Sequence, residues 1–135
     1  MTKKDAQFSI RPYQETDFPE IHRLNQEEGW GNLVEKQQDV KAAWNQSSIA
    51  YIAERNGCVI ACVRGLTDGY ISLYICELLV DDNERGRGIG KALLDHVHLL
   101  YPKTRMELLA SATSHTFYEK HGFRNFYGFR KTAEE

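Results

Sequence analysis

Cysteine, proline, long apolar runs and an excess of positive charge are all scarce in this sequence. It holds three cysteines and three prolines, and its formal net charge is −2 with a pI of about 6.2. Three scattered cysteines make neither a disulfide framework nor a zinc pattern. Because Cys58, Cys62 and Cys76 fall in apolar, strand-like runs, we expect buried, reduced thiols in a cytoplasmic protein.

The other absences exclude further classes. Without a basic field, we expect neither a nucleic acid nor a membrane as a partner. No apolar run reaches membrane-spanning length, and the first seven residues carry charges but no apolar signal core. No group of histidine and carboxylate residues has metal-ligand spacing, so we predict no metal.

What remains is the composition of an ordinary soluble domain. Hydrophobic residues make up 41% and charged residues 27% of the chain, with no repeat or linker. We therefore predict one domain over residues 1–135. Hydrophobic periodicity gives the order βααβββαβαβ, with a hairpin at Asn56-Gly57 and a closing strand from Phe123 to Arg130. This alternation of strands and helices predicts an α/β fold with a mixed sheet.

The most informative segment joins an apolar run to a helix through spaced glycines. Residues 78–80 are apolar, Gly86, Gly88 and Gly90 follow at alternate positions, and an amphipathic pattern begins at once. Such a strand, tight turn and helix N-terminus directs several backbone N–H groups into one space, at the positive end of the helix dipole. The segment therefore predicts an anion site, most naturally for phosphates.

Spacing excludes three common motifs for this segment. The dinucleotide fingerprint G-x-G-x-x-G fails at its third glycine. The P-loop needs glycine where Arg85 stands and serine or threonine where Ala92 stands. A calcium loop would place the same two residues at ligand positions.

The pattern R-x-x-G-x-G over residues 85–90 instead resembles the coenzyme A loop of the GNAT superfamily of N-acyltransferases. A second segment, residues 113–123 with the letters TSHTFYEKHGF, is similar to the F-Y-E-K-x-G-F segment of the same family. The resemblance implies the GNAT fold, with acyl-CoA in the cleft between two central parallel strands. It also implies acetyl-CoA as the co-substrate.

The resemblance implies a set of cofactor-binding residues. These are Leu78, Leu79, Val80, Arg85, Gly86, Arg87, Gly88, Ile89, Gly90 and Lys91. Ser111 and Ser114 join them, although they stand where the family often has asparagine and alanine.

Acyl transfer to an amine also needs a proton donor for the departing thiolate and a neutral amine. The match to the second segment implies that Tyr118 is the general acid, whereas periodicity alone favours a core aromatic. Glu77 interrupts an apolar strand, where a carboxylate is costly without a task or a partner. It is therefore the candidate base, acting directly or through water, or else an ordinary ion-pair residue.

The acceptor site is less defined by the sequence. In this family the first two helices and their connection cover the acceptor site, so Glu28 and Trp30 of that connection are candidate contacts for a cationic amine. Tyr74 is a candidate wall of the same pocket or else a core residue. We predict an N-acetyltransferase that acts on a primary amine of a small molecule. A protein or peptide N-acetyltransferase and a non-catalytic acyl-CoA-binding module remain alternatives, and a homodimer is expected by analogy with relatives.

Overall fold

A computed structural model describes residues 7–134 of the chain, so that the ends of the predicted domain, residues 1–6 and 135, lie outside it. The described residues form one five-stranded sheet in the order β1-β2-β3-β4-β5. Neighbouring strands are antiparallel except for β4 and β5, which are parallel. The strands are β1 (Ser9–Pro12), β2 (Ile49–Arg55), β3 (Cys58–Thr67), β4 (Ser72–Val80) and β5 (Arg105–Leu108).

Helices cover both faces of this sheet. They are α1 (Phe18–Glu28), α2 (Gly31–Glu35), α3 (Gln37–Gln46), α4 (Ile89–Leu100) and α5 (His115–Lys120), with short 3-10 turns at Glu15–Asp17 and Asp82–Glu84. The face that packs on α4 buries Val63, Leu73 and Ile75 against Leu93 and Val97. The opposite face packs on α1 and α3 and buries residues such as Ile21, Leu24, Trp44, Cys62 and Leu79. A mixed sheet between two helical layers confirms the predicted fold class.

The hairpin between β2 and β3 forms at the predicted place. Asn56 has φ 53° and Gly57 has φ 80°, the pair of left-handed residues that a two-residue hairpin turn requires. Cys58 begins β3 directly after this turn and is exposed, so its predicted burial is wrong. Cys62 lies further along the strand and is buried, and burial raises the pKa of its thiol. Cys76 is half-buried.

Two other elements differ from the prediction. The predicted second helix is divided in two, because the backbone turns out of the helical conformation at Lys36 between α2 and α3. In the part of the chain that the structure describes, residues 123–130 form no strand, and Phe126, Tyr127 and Phe129 are exposed. β5 is therefore an edge strand of the described sheet. Among the helices of residues 7–134, none is long and apolar enough to cross a lipid bilayer.

Candidate acyl-transfer site

A cleft opens where β4 and β5 part. Their pairing runs from Ser72 opposite Arg105 to Ile75 opposite Leu108, where β5 ends, while β4 continues to Val80. At this point β4 carries a β-bulge, because Arg64 and Gly65 of β3 are opposite Glu77 and Ile75. Cys76 is thus the extra residue, and a bulge bends the strand that carries it. The second half of β4 consequently presents one open edge.

Backbone amides at this open edge follow from the strand geometry. The N–H of Asp81 donates to the carbonyl of Ile60 at 2.8 Å and so points towards β3. Because successive amides of a strand point to opposite edges, the N–H groups of Val80 and Leu78 point into the cleft. The N–H of Leu79 points towards β3 instead, and its side chain is buried. Of the three predicted cofactor residues in β4, two therefore present donors to the cleft.

The glycine loop follows β4 and leads into α4. Gly86 and Gly88 have φ of 82° and 81°, a conformation that other residues adopt at a cost, and a Cβ at either position would meet no atom within 4 Å. Gly88 is the N-cap of α4. Glycine has no side chain to cap the helix, so no side chain satisfies the amides of its first turn. Ile89 is buried, so its side chain belongs to the core.

Ion pairs fasten this loop to the rest of the fold. Arg85 contacts the carboxylate of Glu28 and donates from Nε to the carbonyl oxygen of Val80 at 3.1 Å. Glu84 lies 2.7 Å from Arg55 of β2, and Arg87 lies 3.6 Å from Glu84. The predicted cofactor contacts of Arg85 and Arg87 stay predictions, because both side chains here bind carboxylates. Lys91 likewise forms an ion pair, with Asp95 at 2.6 Å.

Tyr118 belongs to a helix that packs directly on the start of α4. A Cβ at Gly90 would lie 3.2 Å from Cζ of Phe117, 3.6 Å from Val80 and 3.7 Å from Leu78, so the third glycine permits close approach. The ring of Tyr118 makes edge contacts with Phe117 at 5.1 Å and Phe123 at 5.5 Å between centroids. Burial raises the pKa of the Tyr118 hydroxyl, which favours its protonated form.

Ser111 and Ser114 bind each other at the entrance to α5. Each backbone N–H donates to the other residue's hydroxyl, at 2.9 Å and 3.2 Å, and the two hydroxyls are 3.0 Å apart. This reciprocal arrangement resembles a capping box and stabilises the turn. Their contact with a cofactor, which the resemblance implies, stays a prediction.

Glu77 pairs with an arginine that the sequence analysis did not single out. Oε2 of Glu77 accepts from Arg64 Nη2 at 2.9 Å and Nε at 3.2 Å, and Arg64 Nη1 donates to the hydroxyl of Ser47 at 3.2 Å. The side chains of Glu77 and Arg64 are 10% and 17% exposed. One basic and one acidic residue in the apolar runs of consecutive strands were the signal that could have revealed this pair.

The predicted acceptor residues lie in different surroundings. Glu28 ends α1 and contacts Arg85, while Trp30 is half-buried beside the core under α1 and α3. Tyr74 lies opposite Leu66 of β3 and Glu107 of β5 and is 36% exposed. Because its neighbours Leu73 and Ile75 point towards α4, Tyr74 points to the other face of the sheet, which also carries Glu77. Tyr74 and Glu77 therefore share a face near the cleft.

Within residues 7–134, no three histidine, cysteine, aspartate or glutamate side chains lie together as metal ligands would. The polar groups described beside the cleft are backbone amides, the hydroxyl of the half-buried Tyr118 and the paired carboxylate of Glu77. Such a set can bind an anion at the loop, polarise a carbonyl at the open edge of β4 and exchange protons.

Comparisons with known proteins find a family profile and solved structures of the same fold. A family profile described as "Acetyltransferase (GNAT) domain" matches residues 46–125. No curated protein matches the chain significantly by sequence. A GNAT family acetyltransferase of Streptococcus pneumoniae TIGR4 shares the fold with a TM-score of 0.80 at 20% identity, over 96% of this chain and 100% of that one.

Two further structures have informative names. An aminoglycoside acetyltransferase from an uncultured soil metagenomic sample, in complex with sisomicin, has a TM-score of 0.68 at 16% identity, over 95% of this chain and 97% of its own. The PaiA N-acetyltransferase of Thermoplasma acidophilum, in complex with coenzyme A, also has a TM-score of 0.68. It is 15% identical, over 87% of this chain and 90% of its own.

Proposed function

Since the chain belongs to the GNAT acetyltransferase family and is an acyltransferase, we propose that it transfers an acetyl group from acetyl-CoA to the primary amine of a small molecule. The amine attacks the thioester directly, without an acyl-enzyme. The observation that carries this proposal is the continuity of the open edge of β4 with the glycine loop, against which the helix of Tyr118 packs.

The donor is acetyl-CoA, held by the glycine loop. Its pyrophosphate lies on the amides of residues 86–91, where the uncapped start of α4 adds the positive end of the helix dipole. The pantetheine arm runs along the open edge of β4, beside Leu78 and Val80. A structural neighbour whose name states a complex with coenzyme A supports this donor.

The reaction then needs three proton transfers and one stabilised oxyanion. Glu77 takes a proton from the acceptor ammonium, directly or through water, because an alkylammonium with a pKa near ~10 has no lone pair for attack. The amine nitrogen forms a bond to the carbonyl carbon, and the N–H groups of Val80 and Leu78 stabilise the oxyanion.

Collapse of this intermediate breaks the carbon–sulfur bond. The departing thiolate takes a proton from Tyr118, whose raised pKa keeps the hydroxyl protonated at neutral pH. The products are the N-acetylated acceptor and coenzyme A. The nitrogen, which carries an extra proton after the attack, loses it to the Tyr118 phenolate, and Glu77 returns to its carboxylate form by releasing its proton to water.

The acceptor is a small amine that enters from the face carrying Tyr74 and Glu77. The aromatic ring of Tyr74 and the indole of Trp30 suit a cation through cation–π contacts, and Glu28 adds a charge contact where the acceptor ammonium replaces Arg85 as its partner. The structural neighbour named as an aminoglycoside acetyltransferase supports an amine acceptor of this size class.

Location and assembly complete the proposal. Three free cysteines suit the reducing cytoplasm, where we place a single domain of residues 1–135. A homodimer is supported by the edge position of β5 and by exposed aromatic side chains at Phe126, Tyr127 and Phe129, since unpaired edges and apolar patches favour association.

The direct test is thiol release from acetyl-CoA in the presence of polyamines, aminoglycosides, amino acids and peptides. We expect release with at least one small amine, with the acetylated product identified by mass spectrometry. The variant Gly88→Leu should abolish release, because its side chain fills the space in front of the helix. Peptides as the only substrates, or unchanged release by this variant, would contradict the proposal.

A further inference from the structure

A cavity of about 450 Å³ lies between the end of α3 and the neighbouring ends of β1 and β2. We name it the Tyr13 cavity, and its wall includes Tyr13, Glu15, Trp44, Asn45, Ser47 and Ala50. The acyl-transfer chemistry described above uses none of these residues. We infer that the Tyr13 cavity is the distal part of the acceptor site and binds the far end of an elongated amine. This inference rests on the proposed function.

Strand register connects the cavity to the reacting group. Glu77 of β4 lies opposite Arg64 of β3, and Arg64 lies opposite Ala50 of β2. Cross-strand partners share a face of the sheet, so Ala50 and Glu77 point to the same side. Two strand spacings separate them, about 10 Å. The backbone then continues the row, because the N–H of Tyr13 donates to the carbonyl of Ala50 at 3.0 Å.

A chain of hydrogen bonds follows the same path. Arg64 holds Glu77 with Nε and Nη2, and its Nη1 reaches the hydroxyl of Ser47 in the cavity wall at 3.2 Å. Ser47 in turn donates to the carbonyl of Ala43 at 2.6 Å. One side chain thus contacts both the base and the cavity, so an acceptor that extends along Arg64 would engage both.

The polar groups of the cavity indicate what the far end carries. The hydroxyl of Tyr13 donates to Oδ1 of Asn45 at 3.0 Å, which leaves the Nδ2 hydrogens of Asn45 to donate to a ligand. Burial, and next Glu15 and Asp17, raise the pKa of Tyr13 to about 12, so this donor persists at neutral pH. Ser48 also lines the cavity, and its hydroxyl accepts from the N–H of Thr67 at 3.0 Å, which leaves the hydroxyl hydrogen to donate. An oxygen acceptor on the ligand suits such donors.

Charge argues against a second ammonium at that end. The carboxylate of Glu15 is bound by Lys41 at 3.2 Å, and the guanidinium of Arg64 flanks the other side at Ser47. Lys41 thus neutralises Glu15, and Glu77 neutralises the guanidinium at Ser47, so the cavity border holds no unpaired carboxylate for a second ammonium. The rings of Tyr13 and Trp44 contact each other in the wall, 5.1 Å apart between centroids. The ligand class is a primary amine with a carbonyl or hydroxyl oxygen about 10 Å away, joined by an apolar chain.

The experiment compares four amines as acceptors from acetyl-CoA: butylamine, heptylamine, ω-aminoheptanamide and heptane diamine. In the native protein we expect the lowest KM for ω-aminoheptanamide, with a similar kcat for all four. Asn45→Ala should raise the KM for ω-aminoheptanamide roughly three- to tenfold, because the amide then loses one hydrogen bond to the protein. It should leave butylamine and heptylamine unchanged. Asn45→Trp, which places a ring in the cavity, should raise the KM of the three long amines only.

Gln46→Ala is the matched control, since Gln46 is exposed on the next position of α3 and does not line the cavity. Acetylation of butylamine reports acyl transfer without the cavity. Equal KM values for the amide and the alkylamine, or an Asn45→Ala effect that includes butylamine, would overturn the distal site and leave the proposed function standing. Thiol release from none of these four amines, with release from another small amine, would overturn the distal site alone. Release from no small amine at all would contradict both.

Discussion

Arg64 holds Glu77 through two nitrogens that share one carboxylate oxygen, at 2.9 Å and 3.2 Å. The second oxygen of Glu77 therefore stays outside this pair. Such an arrangement stabilises an ionised carboxylate in a mostly buried strand and fixes its orientation. It makes Glu77 both a partner in a structural ion pair and a carboxylate directed by that pair.

Removal of the arginine alone should destabilise the fold. Arg64→Met leaves the Glu77 carboxylate buried without its partner, and we expect a loss of about 3 kcal/mol in the free energy of unfolding. The double variant Arg64→Met with Glu77→Leu should recover most of this loss, because neither side then carries a charge. Urea denaturation of the single and double variants measures the coupling between the two residues. Additive effects would mean that the pair contributes little.

Substitution of Gly88 should mainly weaken cofactor binding, whereas substitution of Gly90 should mainly lower kcat. Gly88→Ala forces a left-handed backbone onto alanine at a cost of roughly 1–2 kcal/mol, and we expect acetyl-CoA to bind about tenfold more weakly by calorimetry. Gly90→Ala instead places a methyl group 3.2 Å from the ring of Phe117. It should shift α5 and lower kcat more than it lowers cofactor affinity. The same loss of affinity and the same kcat in both variants would contradict these separate roles.

Tyr118→Phe should lower kcat by about a hundredfold, the lower end of what a general acid contributes. Cofactor affinity should barely change, because the ring still packs on Phe117 and Phe123. Since burial raises the pKa of Tyr118 above its usual value of 10.0, the native rate should not fall on the alkaline side until the pH exceeds 10. Phe123→Leu, which alters the packing but keeps the hydroxyl, is the control. An unchanged kcat for Tyr118→Phe would exclude it as the acid.

Stability at low pH should depend on Asp17. Its two oxygens accept from Arg11 at 2.8 Å and 2.9 Å and from the N–H of Gln14, and these bonds, led by Arg11, hold its pKa below 3.8. The stability that ionised Asp17 adds to the fold is fully present above its unfolded pKa of 3.8. It is lost as the pH falls through the lower pKa of the folded protein. Asp17→Asn should cost about 2 kcal/mol at neutral pH.

Thermal unfolding measured from pH 7 to pH 2 provides the check. The native protein should lose stability below pH 4 more steeply than Asp17→Asn, so that their melting temperatures converge in acid. Parallel curves would show that Asp17 titrates alike in the folded and unfolded chains. Asp95→Asn, an exposed carboxylate paired with Lys91, should have only a small effect at any pH.

Local features of the fold were predictable from the sequence because short-range interactions decide them. The Asn56-Gly57 turn needs only two residues that accept positive φ, and the glycine loop needs only its own spacing and the helix that follows. The parallel pair beside the loop followed from a strand, a helix and a strand in succession.

The closing strand could not be predicted in the same way. Residues 123–130 alternate, but alternation states only which side chains would share a face, while a strand also needs a neighbour to bond with. Here Phe126, Tyr127 and Phe129 remain exposed instead. The predicted burial of Cys58 was wrong for a related reason. Its position beside a turn, rather than its apolar neighbours in the sequence, decides its exposure.

The sequence by itself therefore determined the family, the sheet class and the glycine loop, since each depends on neighbouring residues and their spacing. Tertiary structure alone decided that Cys76 bulges, that Arg64 faces Glu77 and that Phe117 touches Gly90. These contacts depend on the register between strands and on how a helix packs across them. Both are set by the whole core, because shifting a strand by one residue exchanges its two faces.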